Sequence, residues 1–169
     1  MFVRKMGKWA MVAIVLGLLW FLLNDVLVGA SQEAALSADL VIDGQTYADK
    51  AAFFGPWGTG NGVSVAALVT ALGGTLEPAA PADGAPVLVT LGGKRLLFYH
   101  GPAPQTVPEG ALVVNEITRR TAPALGWYWT TGEVKDYLKL VYPAVTVATA
   151  FDREQRSGRG IFVETKPRE

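Results

Sequence analysis

The chain has no cysteine. That one absence removes disulfides, thiolate metal sites and thiol nucleophiles together. It has a single histidine, His100, whereas a copper-type centre wants several imidazole or sulfur ligands. Nor is there an excess of either charge, since 15 basic and 15 acidic side chains give a formal net charge of zero. A nucleic-acid binder normally gathers a basic excess on one face, so the balance argues against that class. What is present is 169 residues, half of them apolar. This is the composition of an ordinary folded domain rather than a disordered chain.

The first 30 residues carry an address. Arg4, Lys5 and Lys8 precede an uncharged run from Trp9 to Leu23, and after Asn24 and Asp25 the chain is apolar again to Ala30. The pattern predicts a signal peptide or an N-terminal membrane anchor. Val28-Gly29-Ala30 supplies small residues for cleavage before Ser31. If uncleaved, residues 9–30 are long enough to span a bilayer as a helix of about 20 residues. In both cases the remainder is expected outside the cytoplasm, secreted or anchored, with the basic residues inside. Residues 31–169 hold 12 basic and 14 acidic groups, a net charge of −2. That part is not expected to bind nucleic acid or anionic lipid by charge alone.

Two stretches of the exported part share one spacing. Val65, Leu68, Val69 and Leu72 fall at i, i+3, i+4 and i+7, and so do Val134, Tyr137, Leu138 and Val141, 69 residues later. Each predicts a short amphipathic helix. Gly73-Gly74 ends the first and Pro143 stops the second, while Thr130 and Glu133 are spaced for a capping box. Before each helix lies a β-like run, Leu40-Val41-Ile42 or Leu112-Val113-Val114, followed by a long loop. After each come two strands about a polar turn: Thr75–Glu77 with Val87–Leu91, and Val145–Phe151 with Ile161–Glu164. A further strand, Arg95–Tyr99, follows Gly92-Gly93, and Gly101–Gly110 with three prolines reads as a linker. The expectation is an α+β fold: an antiparallel sheet curled around two short helices, built by tandem duplication of a strand-loop-helix-hairpin unit. Residues 39–101 form the first copy and 111–165 the second, packed as one domain. Two separately folded lobes are the alternative.

Val41-Ile42-Asp43-Gly44, Gly60-Asn61-Gly62-Val63-Ser64-Val65, Leu72-Gly73-Gly74-Thr75-Leu76-Glu77 and Val87–Gly93 together resemble the stalk domain named after the N-terminal domain of copper amine oxidases. The resemblance covers most of residues 39–164 and is clearest in residues 41–93. At the helix starts, Val63-Ser64-Val65-Ala66 and Gly132-Glu133-Val134-Lys135 lack the proline and arginine usual in that family. The resemblance implies a non-catalytic module of exported bacterial proteins, found on cell-surface or wall-associated chains. It implies no copper and no other cofactor.

His100 reads as a strand-end side chain, and Ser64, in a near miss to the Gly-x-Ser-x-Gly elbow, reads as a helix cap. Gly58–Gly62 lacks the lysine of a phosphate loop. The carboxylates Glu133 with Asp136 and Asp152 with Glu154 offer pairs for a small glycan hydrolase using Asp136, which is the alternative function. The aromatics form the leading candidate site. Phe53-Phe54-Gly55-Pro56-Trp57 precedes one helix and Trp127-Tyr128-Trp129 the other. Rings in loops stack on sugar faces or enter a partner's pocket. Trp57, Trp127 and Trp129 are on that reading expected to be partly exposed, with Tyr128 counted among the ligand-binding residues; the alternative is that these rings close the open end of each helix-and-sheet core. The basic pair Arg119 and Arg120 is a further candidate, to grip an anionic polymer, or else a solvated loop. The partner classes are a cell-wall polymer or a surface protein.

Overall fold

The computed structural model describes residues 36–54, 60–79, 85–116, 119–152 and 157–166. The expected signal or anchor and Trp57 lie outside these residues. No helix among the described residues is long and apolar enough to cross a membrane.

Asp43-Gly44 starts the architecture. Both residues have positive φ, 48° and 85°, the backbone of a two-residue hairpin turn whose twist matches paired strands. It joins β1 (Leu36–Ile42) to β2 (Gln45–Phe54). In β1, Ala38, Leu40 and Ile42 point into the core at the two-residue period of a strand. The chain continues through β3 (Gly60–Ser64) into helix α1 (Val65–Ala71). The strands β4 (Thr75–Glu77), β5 (Val87–Leu91) and β6 (Lys94–Tyr99) follow. The second half runs β7 (Ala111–Asn115), β8 (Arg120–Ala122), β9 (Gly126–Trp129), α2 (Thr131–Lys139), β10 (Thr146–Asp152) and β11 (Ser157–Glu164).

The fold is α+β, with two helices among the described residues, and both expected helices form. Ser64 caps α1 by accepting the Ala67 N–H, and Gly73 leaves it at φ 73°. Thr130 and Glu133 close the reciprocal capping box of α2. Lys94 Nζ donates to Leu140 O at 2.6 Å, satisfying a carbonyl at the far end of α2. Val65, Leu68, Val69, Val134 and Leu138 are buried, each worth about 1.5–3 kcal/mol of apolar transfer. One buried cluster draws on both halves of the chain, from Ala38 to Val163, and the chain from Ala35 onward forms one compact unit.

The sheets differ from the expected single antiparallel one. There are two, a seven-stranded sheet in the order β10-β11-β1-β2-β3-β9-β8 and a four-stranded sheet β4-β5-β6-β7. Each contains a parallel contact, β1 with β11 and β6 with β7. The first arises because the last strand returns to the first, and Asp43 fastens that return. Its carboxylate accepts the Thr165 N–H at 2.8 Å and the Thr165 hydroxyl at 2.6 Å. The second needs a crossover, which the proline-bearing residues 100–110 provide.

Four of the strands, β2, β3, β8 and β9, occupy what was expected to be loop. They bring Phe53-Phe54 and Trp127-Tyr128-Trp129 into the strands flanking β3, toward the β8 end of the large sheet, where β3 pairs antiparallel with β9 through Val63 with Trp129 and Ser64 with Tyr128.

Candidate functional site

Strand β9 reads Gly-Trp-Tyr-Trp, and as a strand it must send alternate side chains to opposite faces. Trp127 and Trp129 point into the core, 8% and 2% exposed, while Tyr128 faces outward and is half-buried. The expected exposure of Trp127 and Trp129 is therefore corrected: the alternation of β9 commits both indoles to the interior. There they surround Phe98 of β6, which is fully buried, with centroids 5.9 Å and 5.0 Å away. Tyr137 of α2 completes the group, 5.0 Å from both Phe98 and Trp129. These spacings and the tilted or edge-on planes are the favourable ones for aromatic pairs.

A buried indole needs an acceptor for its N–H. Glu116, just after β7 and 3% exposed, supplies one for both. Its Oε1 accepts from Trp127 Nε1 at 3.1 Å and Trp129 Nε1 at 3.3 Å. Its Oε2 accepts from Arg119 Nε at 2.9 Å and Nη2 at 2.8 Å. The Arg119 side chain is 4% exposed, lies 4.9 Å over the Trp127 ring and donates through Nη1 to Ala85 O. Arg119 is thus corrected as well. It is a core cation engaged by a carboxylate, a carbonyl and a ring face, not a surface grip for a polymer. Sequence reasoning missed Glu116. The signal for it was the pair of tryptophans two apart, whose shared face demands an acceptor once β9 is known to be a strand.

His100 stands at the end of β6 with Nδ1 3.1 Å from Glu116 O, in keeping with a strand-end role. No buried side-chain polar atom among the described residues lacks a hydrogen-bond partner. The inner aromatic group is a closed network, and such networks specify packing rather than bind ligands.

The outer face of the same strands is different. Tyr128 packs over Gly62 of β3, where a Cβ would collide with the Tyr128 ring. That contact accounts for the glycine at position 62. Phe54 of β2 lies 5.1 Å from Tyr128 at 37°. Arg120 is the cross-strand partner of Tyr128, and its guanidinium meets Glu133 of α2 at 2.6 Å. The Arg120 side chain remains 36% exposed and that of Glu133 23%. This hydrogen bond to Glu133 keeps the Arg120 guanidinium even more firmly protonated than usual. Asn61 Oδ1 accepts the Thr131 N–H at 3.0 Å and so ties β3 to the start of α2. Of the residues singled out from the sequence, Tyr128 and Arg120 come together on a solvent-facing surface, and Phe54 joins them.

The carboxylates considered for glycan hydrolysis do not converge among the described residues. Glu133 is engaged by Thr130 and Arg120, and Asp136 is exposed on α2. Glu154 and the Asp152 side chain lie outside the described residues. No group of three or more His, Cys, Asp or Glu among the described residues is placed to hold a metal ion. Comparison with protein-family models, curated proteins and solved structures gives no match. The resemblance to the stalk domains therefore rests on this chain's own residues.

Proposed function

We propose that the chain is an exported, non-catalytic, stalk-like module that binds a cell-wall polymer or a surface protein, secreted or held at the membrane by residues 9–30. The observation that carries this reading is the outward face of β2, β3, β9 and β8. A half-buried tyrosine packs against glycine there, in contact with Phe54 and paired across the strands with Arg120, whose side chain is 36% exposed. A ring face beside a fixed cation suits a sugar unit carrying an anionic group, or an aromatic-anchored protein contact. Trp57, a candidate from the sequence, lies outside the described residues.

We also infer that the fold arose by duplication of a strand-loop-helix-hairpin unit. Three pairings support it. β3 and β9 pair antiparallel and each runs directly into a helix. The first strand of one half lies parallel to the last strand of the other, β1 on β11. The first strand of the second half, β7, lies parallel to β6, the last strand of the first. On this reading the copies are interlocked by exchange of their leading strands.

Co-sedimentation of the full chain with isolated cell walls tests the binding face. Saturable binding of the wild type, lost in folded Tyr128→Ala and Trp57→Ala variants, is expected. Equal binding by those variants rejects the face, and no binding by the wild type rejects the wall polymer as partner.

A further inference from the structure

Two sheets have four edges, and an open edge is a row of unpaired backbone groups that proteins usually shorten, charge, bulge or cover. Three of the four follow that rule. β4 and β8 are three residues each, and β4 runs into Pro78. β10 is broken by a register shift between Ala150 and Phe151, the bulge that twists an edge out of regular pairing. The fourth, β7, reads Ala-Leu-Val-Val-Asn, with no charge along its length. Leu112 is 49% exposed and Val113 48%, with Val107 just upstream at 43%; these are three of the five exposed large hydrophobics among the described residues.

The register shows which groups are free. Glu116 N–H bonds Tyr99 O, so by the alternation of a parallel ladder Leu112 and Val114 direct their backbone groups to β6. Ala111, Val113 and Asn115 direct theirs outward. The Ala111 N–H is already taken by Pro108 O. The open set is symmetric about Val113. Side chains continue the pattern, since Leu88, Leu97 and Val113 are successive cross-strand partners, as are Val89, Leu96 and Leu112. Two apolar rows of the small sheet thus run out to an edge that no strand among the described residues continues.

We propose that β7 joins two copies of this chain, their β7 strands pairing antiparallel about a two-fold axis through Val113. The small sheets become one eight-stranded sheet. Val113 then faces its own counterpart, Ala111 faces Asn115 and Leu112 faces Val114. Four backbone hydrogen bonds form, from the N–H groups of Val113 and Asn115 in each copy. A second copy is favoured over other occupants because the strand is self-complementary. A two-fold contact sets each residue against its own strand reversed, and an uncharged strand meets no like charge there. A single strand edge is small against the roughly 1,200–2,000 Å² that a stable interface buries, so the contact belongs to the weak, concentration-dependent class.

The absence of cysteine makes trapping a direct test. Directly opposed residues of a hydrogen-bonded antiparallel pair have Cα atoms about 5.5 Å apart, within disulfide range. Full-length Val113→Cys, oxidised with copper phenanthroline, is expected to give a disulfide dimer at least tenfold faster than Lys135→Cys, an exposed control on α2. Mixing Ala111→Cys with Asn115→Cys is expected to give the mixed dimer ahead of either homodimer, which guards against misfolding of any one variant. Val113→Cys dimerising no faster than the control, together with no preference in the mixture, overturns the proposal. A protein or polymer partner occupying the edge instead produces that same negative result.

Discussion

Replacing Glu116 by glutamine is the sharpest test of how the core is held. The carboxylate accepts four hydrogen bonds at a site 3% exposed. Glutamine keeps one oxygen, enough for the two indole N–H groups on Oε1. Its amide N–H₂ then faces the Arg119 guanidinium, donor against donor. The cation is left with Ala85 O and the Trp127 ring, its side chain 4% exposed. Breaking one side of a buried ion pair costs about 3–5 kcal/mol, because the remaining charge stays desolvated. Against a typical domain stability of about 5–15 kcal/mol this is a large fraction. In urea, with a slope of about 2 kcal/mol per molar, the midpoint should fall by roughly 2 M. Far-UV circular dichroism should be the probe, since the tryptophans themselves change environment. Removing both charges in Glu116→Gln with Arg119→Met should recover about 1–3 kcal/mol relative to Glu116→Gln alone. A single-variant cost under about 1 kcal/mol, or strictly additive effects of the two changes, would refute the buried-pair account.

Two further outcomes follow from the same geometry. Burial, followed by the charges of Glu133 and Glu116, pushes the Tyr137 phenol up to about 12, so alkaline titration at 295 nm should show one of the five tyrosines ionising well after an ordinary phenol near 10. A group whose folded pKa is raised adds stability that is complete below the unfolded value, so unfolding by base should set in between about pH 10 and 12 and shift upward in Tyr137→Phe; uniform titration near 10 contradicts this placement. Thr130→Ala removes the acceptor for the Glu133 N–H at 3.3 Å, and loss of such a cap costs about 1 kcal/mol. Calorimetry should therefore show Tm lower by about 3–5 °C, and an unchanged Tm would mean that the cap contributes nothing.

The helices were legible because a 3.6-residue stripe bounded by a cap and a glycine has few other readings. Ser64, Thr130, Glu133 and Gly73 act in the structure as their types and spacing dictate. Legible strands were short runs rich in apolar and β-branched residues between turn signals: Leu40–Ile42, Thr75–Glu77, Val87–Leu91, Arg95–Tyr99, Leu112–Val114, Val145–Phe151 and Ile161–Glu164. Strand β3 was not legible. Gly60-Asn61-Gly62 carries every local mark of a turn, and it is held extended by partners it cannot announce: the ladder with β2, and Tyr128, 66 residues on, lying against Gly62. Strand β2 opens with exposed polar residues and buries Ala51, Ala52 and Phe53 only near its end. Its full length became visible only once β1 and β3 lay on either side. Parallel contacts escape local reading entirely, because β1 meets β11 across almost the whole chain.

The aromatic site turned on a single ambiguity. As a loop, Trp127-Tyr128-Trp129 presents three rings to a ligand; as a strand, it presents one and buries two. The sequence contained the means to choose, since alternation of large rings over four residues is a β pattern. Two inward indoles then require a buried acceptor, which is a reason for a carboxylate to lie inside an apolar core. Glu116 in turn requires a cation, and Arg119 is three residues away. Once the inner face is spent on that chain of requirements, a binding role can fall only to what β9 and its neighbours turn outward. That leaves Tyr128, Arg120 and Phe54, placed by the same alternation that took the tryptophans away.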